Sequence, residues 1–210
     1  MSIAREGWPI VLPVLAVGLA LLGFRFWWAG GVVLALGAFC LYFFRDPERA
    51  VPADPRMVVS PADGKVVVAG PAPEGNPLGP GAQQVSIFLS VFDVHVNRAP
   101  VAGRVADVQY HKGEFLPAFD EKASLRNEQN TVTIGEGSAR VVFKQIAGLI
   151  ARRIVFRKHV GETVQAGERV GMIRFGSRVD VFLPREARLG VSVGDRVRAG
   201  ESPLGERPAP

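Results

Sequence analysis

Cysteine is almost absent from this chain: Cys40 is the one cysteine among 210 residues, and there are three histidines. A single thiol excludes a disulfide framework and a cysteine-based zinc site, and it suits a reducing compartment. The chain also lacks the interleaving of aromatic and basic residues that is typical of single-strand nucleic-acid binding. We therefore predict no metal site and no nucleic-acid partner.

Charge is missing from two long stretches near the N-terminus. Trp8 to Phe24 and Phe26 to Phe44 carry no charged residue, and only Arg25 separates them. A helix of either length rises roughly 25–29 Å, about the thickness of the hydrocarbon core of a bilayer. Residues 1–45 are predicted to form an α-helical membrane hairpin that turns near Arg25, with a single bent or re-entrant span as the alternative. A cleaved signal peptide is disfavoured because the second apolar run follows at once.

Basic residues flank this predicted anchor on both sides. Arg5 precedes the first run, and Arg45 and Arg49 follow the second. The positive-inside rule then places both ends, and the rest of the chain, on the cytoplasmic side of the cell membrane. The formal net charge of +5 is consistent with binding to an anionic lipid surface.

Beyond the anchor, residues 46–56 are rich in proline and charge and are predicted to be a linker. Residues 57–210 contain short β-branched and aromatic runs separated by glycine and proline, which predicts a mainly β domain. The strongest helical pattern there lies around Asp120 to Glu128.

One internal repeat supports a particular kind of β domain. "VGETVQAGE" begins at Val160 and "VGDRVRAGE" begins at Val193. Each unit predicts a turn, a valine that points inward and a second turn at Ala-Gly-Glu. Short strands joined by such glycine turns resemble the units of barrel-sandwich folds, including biotinyl and lipoyl domains, so we predict a barrel-sandwich-like domain.

The pair Gly176-Ser177 interrupts a strand pattern, "GMIRFGSRVDVFLP". The nucleophile motif Gly-x-Ser-x-Gly is absent. A serine after glycine can also attack the preceding carbonyl, which glycine leaves open because it has no Cβ. An N-to-O acyl shift followed by elimination would cut the chain and leave a pyruvoyl group in place of Ser177. Such a carbonyl forms a Schiff base with an amine and accepts the electrons released on decarboxylation.

Several motifs together resemble the phosphatidylserine decarboxylase family, in its short membrane-anchored form. They extend over most of the chain: "FFRDPER", "SPADGKV", "IFLSVFDVHVNRAPVAGRV", "YHKGEFLPAFDEKASLRNEQN" and "RFGSRVDVFLP". The resemblance implies a proenzyme that cleaves itself between Gly176 and Ser177. The two fragments would remain together as a heterodimer, and the pyruvoyl group would act on the serine head group of an anionic phospholipid to give phosphatidylethanolamine and CO2.

The resemblance also implies roles for two further residues. His95, in "FDVHVNRAP", matches a family histidine assigned to proton transfer, and Asp63, in "PADG", matches an acid linked to self-cleavage. The larger enzymes of the family have a second histidine three residues after the first, where this chain has Arg98. Ser177 is therefore activated by His95, by backbone strain or by a distant histidine, His111 or His159.

Alternative interpretations remain at this point. The same residues fit an archaetidylserine decarboxylase, since ether and diacyl lipids carry the same head group. A membrane-anchored barrel-sandwich adaptor would need no chemistry, although a carrier domain lacks its usual Met-Lys pair here. A decarboxylase of a soluble amino acid is disfavoured by the anchor. A basic cluster predicts either a solvated strand edge or a contact with lipid phosphate; it comprises Arg152, Arg153, Arg157 and Lys158.

Overall fold

The computed structural model describes residues 2–116, 123–149, 153–174 and 177–208. The chain divides into two compact units, Met1–Glu48 and Arg49–Pro210.

The first unit is a pair of helices, α1 (Trp8–Gly23) and α2 (Trp27–Phe43). Arg25 makes the tight turn between them with a positive φ of 66°. Short strands β1 (Ser2–Ile3) and β2 (Arg45–Asp46) pair antiparallel at the open end. The predicted helix pair and its turn at Arg25 are confirmed. Among the described residues, however, no helix has both the length and the apolar character needed to cross a membrane, so the predicted membrane hairpin is not confirmed.

The second unit is mainly β, as predicted. Its strands are β3 (Met57–Val59), β4 (Gly64–Pro71), β5 (Gln83–Leu89), β6 (Val96–Arg98), β7 (Gly103–His111), β8 (Gln129–Ile134), β9 (Val141–Ile146), β10 (Ile154–Phe156), β11 (Thr163–Val164), β12 (Arg169–Ile173), β13 (Ser177–Leu183), β14 (Arg188–Leu189), β15 (Arg196–Val197) and β16 (Pro203–Glu206). Helical structure in the described part of this unit is limited to α3 (Ala123–Arg126) and a 3₁₀ turn (Gly137–Ala139). The helix predicted around Asp120 to Glu128 is thus short, and its first residues lie outside the described ranges.

Eight strands form the main sheet, in the order β11-β7-β8-β9-β13-β5-β4-β15. Two three-stranded sheets accompany it, β10-β12-β6 and β14-β16-β3. Because side chains alternate between the faces of a strand, one face of the main sheet carries the apolar core. Its fully buried members include Ile87, Phe143, Val179 and Val181.

The internal repeat occupies the two edges of the main sheet. β11 pairs with β7 at one edge, and β15 pairs with β4 at the other. Val164 and Val197 are both buried, as the repeat predicts. The turns on either side have positive φ at glycine in both copies: Gly161 (95°), Gly167 (73°), Gly194 (104°) and Gly200 (76°).

Candidate functional site

Ser177 is the first residue of β13, the strand that lies between β5 and β9. Every residue of this strand is buried. Ser177 pairs with Leu89, and it shares the core-facing side of the strand with Val179, while Arg178 lies on the opposite face. The sequence therefore places the serine at the end of a central strand with its side chain toward the interior.

The hydroxyl of Ser177 has an unusual environment. The residue is fully buried, and within the described ranges its Oγ has no hydrogen-bond partner. Buried hydroxyls are nearly always hydrogen-bonded, so such an exception requires an explanation. The predicted cleavage partner, Gly176, lies outside the described residues.

His95 lies between β5 and β6 and is also fully buried. Its Nδ1 is 2.9 Å from the carbonyl oxygen of Asp93. A carbonyl can only accept, so Nδ1 carries the proton and Nε2 is the basic nitrogen of the neutral ring. The carbonyl of His95 accepts a hydrogen bond from the amide of Ile173. Ser177 follows Ile173 by four residues, a path of at most about 14 Å between their Cα atoms, so the backbone of His95 lies in the same region of the fold as Ser177.

Asp63 directly precedes β4 and has two tight partners. Its Oδ2 accepts a hydrogen bond from Nη2 of Arg49, and its Oδ1 accepts one from the amide of Ala199, both at 2.8 Å. Burial raises the pKa of Asp63, although the Ala199 amide and Arg49 oppose that change. Gly64 has no room for a side chain, since a Cβ there would lie 2.2 Å from the carbonyl oxygen of Phe88. Asp-Gly at this place therefore allows β4 to approach β5 closely.

The pairings also locate Asp63 relative to Ser177. Lys65, near the start of β4, pairs with Phe88, and the next residue of β5, Leu89, pairs with Ser177. Asp63 and Ser177 thus lie at the same end of the sheet, two strands apart, which corresponds to roughly 10 Å. Nothing in these contacts brings the carboxylate to the hydroxyl directly.

Arg98 has a structural environment. It is buried, and its Nη1 donates a hydrogen bond of 2.9 Å to the carbonyl of Gly167. A Cβ on Gly200 would come 3.0 Å from Cδ of Arg98 and 3.4 Å from Cα of Gly167. Arg98 therefore packs where the Ala-Gly-Glu turns of the two repeats meet, and its guanidinium is too basic to accept a proton from a serine.

Comparisons with known proteins give the chain a family. The family model described as "Phosphatidylserine decarboxylase" matches residues 36–205. The chain belongs to the phosphatidylserine decarboxylase family. Among curated relatives, a protein of Symbiobacterium thermophilum is 48% identical over 98% of this chain and 96% of its own length. Proteins of Solibacter usitatus (52% identical over 86% of this chain and 87% of its own length) and Geotalea uraniireducens (47%, 98% and 97%) are also similar. All three are named "Phosphatidylserine decarboxylase proenzyme".

Membership of the phosphatidylserine decarboxylase family makes this chain a decarboxylase proenzyme. The buried Oγ of Ser177 has no hydrogen-bond partner in the described structure, so a reaction that consumed this hydroxyl would break no hydrogen bond of that structure.

The three histidines of this phosphatidylserine decarboxylase family member all lie in the described ranges, and only His95 is buried. His111 is exposed on β7, and His159 is exposed after β10. Within the same ranges, no group of three or more His, Cys, Asp or Glu side chains could hold a metal ion. Of the histidines that the sequence left open as partners of Ser177, the structure places only His95 in the interior.

Two groups of functional interest were missed by the sequence prediction. Arg49 contacts Asp63 and also Glu201, at 3.2 Å. A chain of buried amides runs across the inner face: Nδ2 of Asn130 donates to Oε1 of Gln145 (3.0 Å), and Nε2 of Gln145 donates to Oδ1 of Asn97 (2.9 Å). Gln145 pairs with Val179, so these amides share the face of Ser177. Arg49, in "FFRDPER", and Asn97, in "HVNR", lie within the motifs, but only the fold identifies their partners.

The described residues of the basic cluster are either exposed to solvent or paired with a nearby acid. Arg153 and Arg157 are exposed, and Lys158 makes an ion pair of 2.7 Å with Glu168. Arg152 lies outside the described residues. Contact between this cluster and lipid phosphate stays a prediction.

Proposed function

We propose that this chain is the proenzyme of a phosphatidylserine decarboxylase and cleaves its own backbone between Gly176 and Ser177. The observation that carries the proposal is the buried, unpartnered Oγ of Ser177 at the start of the central strand β13. Relatives that match nearly the full chain carry this enzyme's name. Archaetidylserine, with the same head group on an ether lipid, is the alternative substrate.

The cleavage proceeds through the atoms of one peptide bond. Oγ of Ser177 attacks the carbonyl carbon of Gly176, and the amide C–N bond is exchanged for an ester while the nitrogen of Ser177 becomes an amine. Loss of the α-proton of Ser177 then expels the carboxylate of Gly176 and leaves a carbon–carbon double bond. Water replaces the nitrogen, which leaves as ammonia, and residue 177 ends as a pyruvoyl group.

His95 is the residue that we assign to proton transfer. Its Nδ1–H donates to the Asp93 carbonyl, so Nε2 is the ring nitrogen that we assign as the base. In maturation Nε2 takes the hydroxyl proton of Ser177. In turnover the protonated ring returns a proton to the substrate carbon from which CO2 has left. The pyruvoyl group supplies a carbonyl that reacts with the substrate amine and accepts the electron pair released with CO2.

The fragments of the cut chain would be residues 1–176 and 177–210, associated without a covalent bond. Strand β13 of the small fragment lies between β5 and β9 of the large one, and β15 pairs with β4. With copies of the repeat on opposite edges of one sheet, a barrel-sandwich-like domain is the architecture that we infer for this unit.

The helix pair α1 and α2 is proposed to attach the enzyme to the cell membrane, with the β unit on the cytoplasmic side. Large apolar side chains are exposed along it, including Leu12, Leu19, Trp28 and Leu36. Helices of 16 and 17 residues rise about 24–26 Å. A hairpin that enters and leaves the same face is consistent with the flanking arginines. Alkaline carbonate extraction tests this: the full chain should stay with the membrane pellet, and release into the supernatant would contradict it.

Replacement of the nucleophile tests the proposed function. Ser177→Ala should remain a single full-length chain without decarboxylase activity, because no hydroxyl is present to attack Gly176. The unaltered chain should yield two fragments. Mass spectrometry should show that the fragment 177–210 begins with a carbonyl group that reacts with hydroxylamine. Ser192→Ala, which removes an exposed serine of the same fragment, should cut normally. An active, uncut wild-type chain with an intact Ser177 would refute the proposal.

A further inference from the structure

The outer face of the main sheet carries a polar cavity of about 330 Å³. Its walls come from β7, β8, β9 and the segment around α3, with His111, Lys112, Arg126, Gln129, Thr131 and Lys144 among its lining residues. The strand pairing explains why these side chains lie together: His111 pairs with Gln129, and Thr131 pairs with Lys144. Paired residues share a face of the sheet, so these side chains converge.

The lining is basic. Lys112, Arg126 and Lys144 contribute three cations, and no described lining residue is a carboxylate. The acids nearby are already engaged. Glu114 accepts a hydrogen bond from Nη2 of Arg126 (2.6 Å), and Asp180 accepts from Arg178 and from Ser124, each at 2.7 Å.

Lys144 lies deepest among these cations. Burial lowers the pKa of its ammonium, and the charge of Asp180 offsets this only in part. Lys144 is half-buried, and its Nζ lies 5.6 Å from the ring centroid of Phe182. Partial burial of a cation is costly when no described residue forms an ion pair with it, and an anion in the cavity would offset that cost.

The side chain of Gln129 gives an independent indication that this cavity can bind a polar ligand. Its Oε1 is buried and has no hydrogen-bond partner in the described part of the chain. The orientation of a glutamine amide is an assignment, and rotation by 180° exchanges the oxygen for an NH2 group. In that orientation Gln129 donates to an anion held by the surrounding cations.

We propose that this cavity is a second, phosphate-binding site, on the opposite face of the sheet from the hydroxyl of Ser177. Ser177 points inward with Val179, whereas Arg178 and Asp180 lie on the outer face, where Asp180 pairs with Lys144. The ligand is a phosphate mono- or diester anion, recognised by two lysines, an amide and the donors of Arg126 that Glu114 does not accept. The head group of an anionic lipid and a soluble phosphate compound share this chemistry.

Binding measurements on the mature enzyme separate the two sources. Inorganic phosphate is titrated by calorimetry in phosphate-free buffer, and phosphatidylcholine vesicles with and without phosphatidylglycerol are tested by co-sedimentation. Lys144→Met should weaken binding of at least one probe about tenfold or more, since a charged hydrogen bond is lost. Lys65→Met, which removes an exposed lysine of β4 outside the cavity, should change neither.

The outcomes are distinct. A Lys144-dependent loss with phosphate identifies a soluble ligand, and a loss confined to phosphatidylglycerol vesicles identifies a lipid head group. A cooperative thermal unfolding transition like that of the wild-type chain, followed by circular dichroism, reports that Lys144→Met has folded. If it has not, Lys112→Met, an exposed change at the rim, replaces it with the same expected direction. Equal binding of both probes by the folded variant and the wild-type chain would overturn the proposal, whatever the fate of the Ser177 chemistry.

Discussion

His95 is held in one tautomer by a single backbone carbonyl, and this detail decides which nitrogen can accept a proton. The hydrogen bond from Nδ1 to Asp93 leaves Nε2 as the base. Arg98 cannot share that role, because its guanidinium is a permanent cation that donates to Gly167. We therefore expect one imidazole to serve both maturation and turnover.

Replacing His95 with alanine tests that expectation. General base catalysis contributes about 10²–10⁴-fold to a rate, so self-cleavage of His95→Ala should slow by roughly 100-fold or more. The rate is measured on denaturing gels after synthesis of the full chain. His111→Ala removes an exposed histidine and should cut at the normal rate. Normal cleavage of His95→Ala with loss of turnover would restrict His95 to the decarboxylation step.

Single residues differed in how far the sequence could predict their role. The role of Ser177 was predicted from the Gly-Ser pair within a strand pattern and that of His95 from its resemblance to a family motif, and both roles stay predictions. The partners of Asp63 were not predicted, because Arg49 and Ala199 approach it from distant parts of the chain. Lys144 was not predicted to be functional either, since an isolated lysine in a strand pattern gives no sign that the fold places it half-buried near other cations.

Strands and turns were more predictable than their arrangement. The β-branched and aromatic runs that predicted a mainly β domain correspond to strands such as β5, β9 and β13. The repeat predicted both inward valines and both glycine turns, since these depend on local backbone geometry. The order of strands in the sheet could not be predicted from the sequence, because it depends on contacts between residues far apart in the chain.

The repeated turns supply a test at this scale. Gly167 has a φ of 73°, and a Cβ there would lie 2.4 Å from Cγ2 of Val51. Gly194 has a φ of 104°, with nothing within 4 Å of such a Cβ. The positive φ lowers the stability of both alanine variants by about 1–2 kcal/mol. In Gly167→Ala the added Cβ would also clash with the side chain of Val51. The free energy of unfolding of Gly167→Ala should fall by about 1–3 kcal/mol more than that of Gly194→Ala.

Unfolding in urea checks this, with both changes made in the uncut Ser177→Ala chain so that cleavage does not disturb the equilibrium. Equal losses in the two variants would mean that Val51 moves aside at little cost and that the turn is not tightly packed.

For the molecule as a whole, the proposed cleavage before residue 177 would divide the sheet without removing any of its strands. The small fragment would contribute β13 to the middle of the main sheet and β15 to its edge, and β16 would still pair with β3 of the large fragment. Arg207 also donates a hydrogen bond of 2.7 Å to the carbonyl of Ala139. The pairing of Arg178 to Phe182 with β5 and β9 would persist after the peptide bond before Ser177 is cut, because these residues lie beyond that bond.

We therefore expect the cut enzyme to behave as one particle. Native mass spectrometry should detect residues 1–176 and 177–210 in a one-to-one ratio, and gel filtration should separate them only in denaturant. Val181→Asp places a charge in the core-facing side of β13 and should release the small fragment or prevent folding, since an unpaired buried carboxylate is strongly unfavourable. Glu186→Gln, an exposed change just beyond the strand, should leave the fragments together. Loss of the small fragment from the wild-type enzyme in plain buffer would show that the interleaved strands do not hold the halves, and some other contact would have to be found.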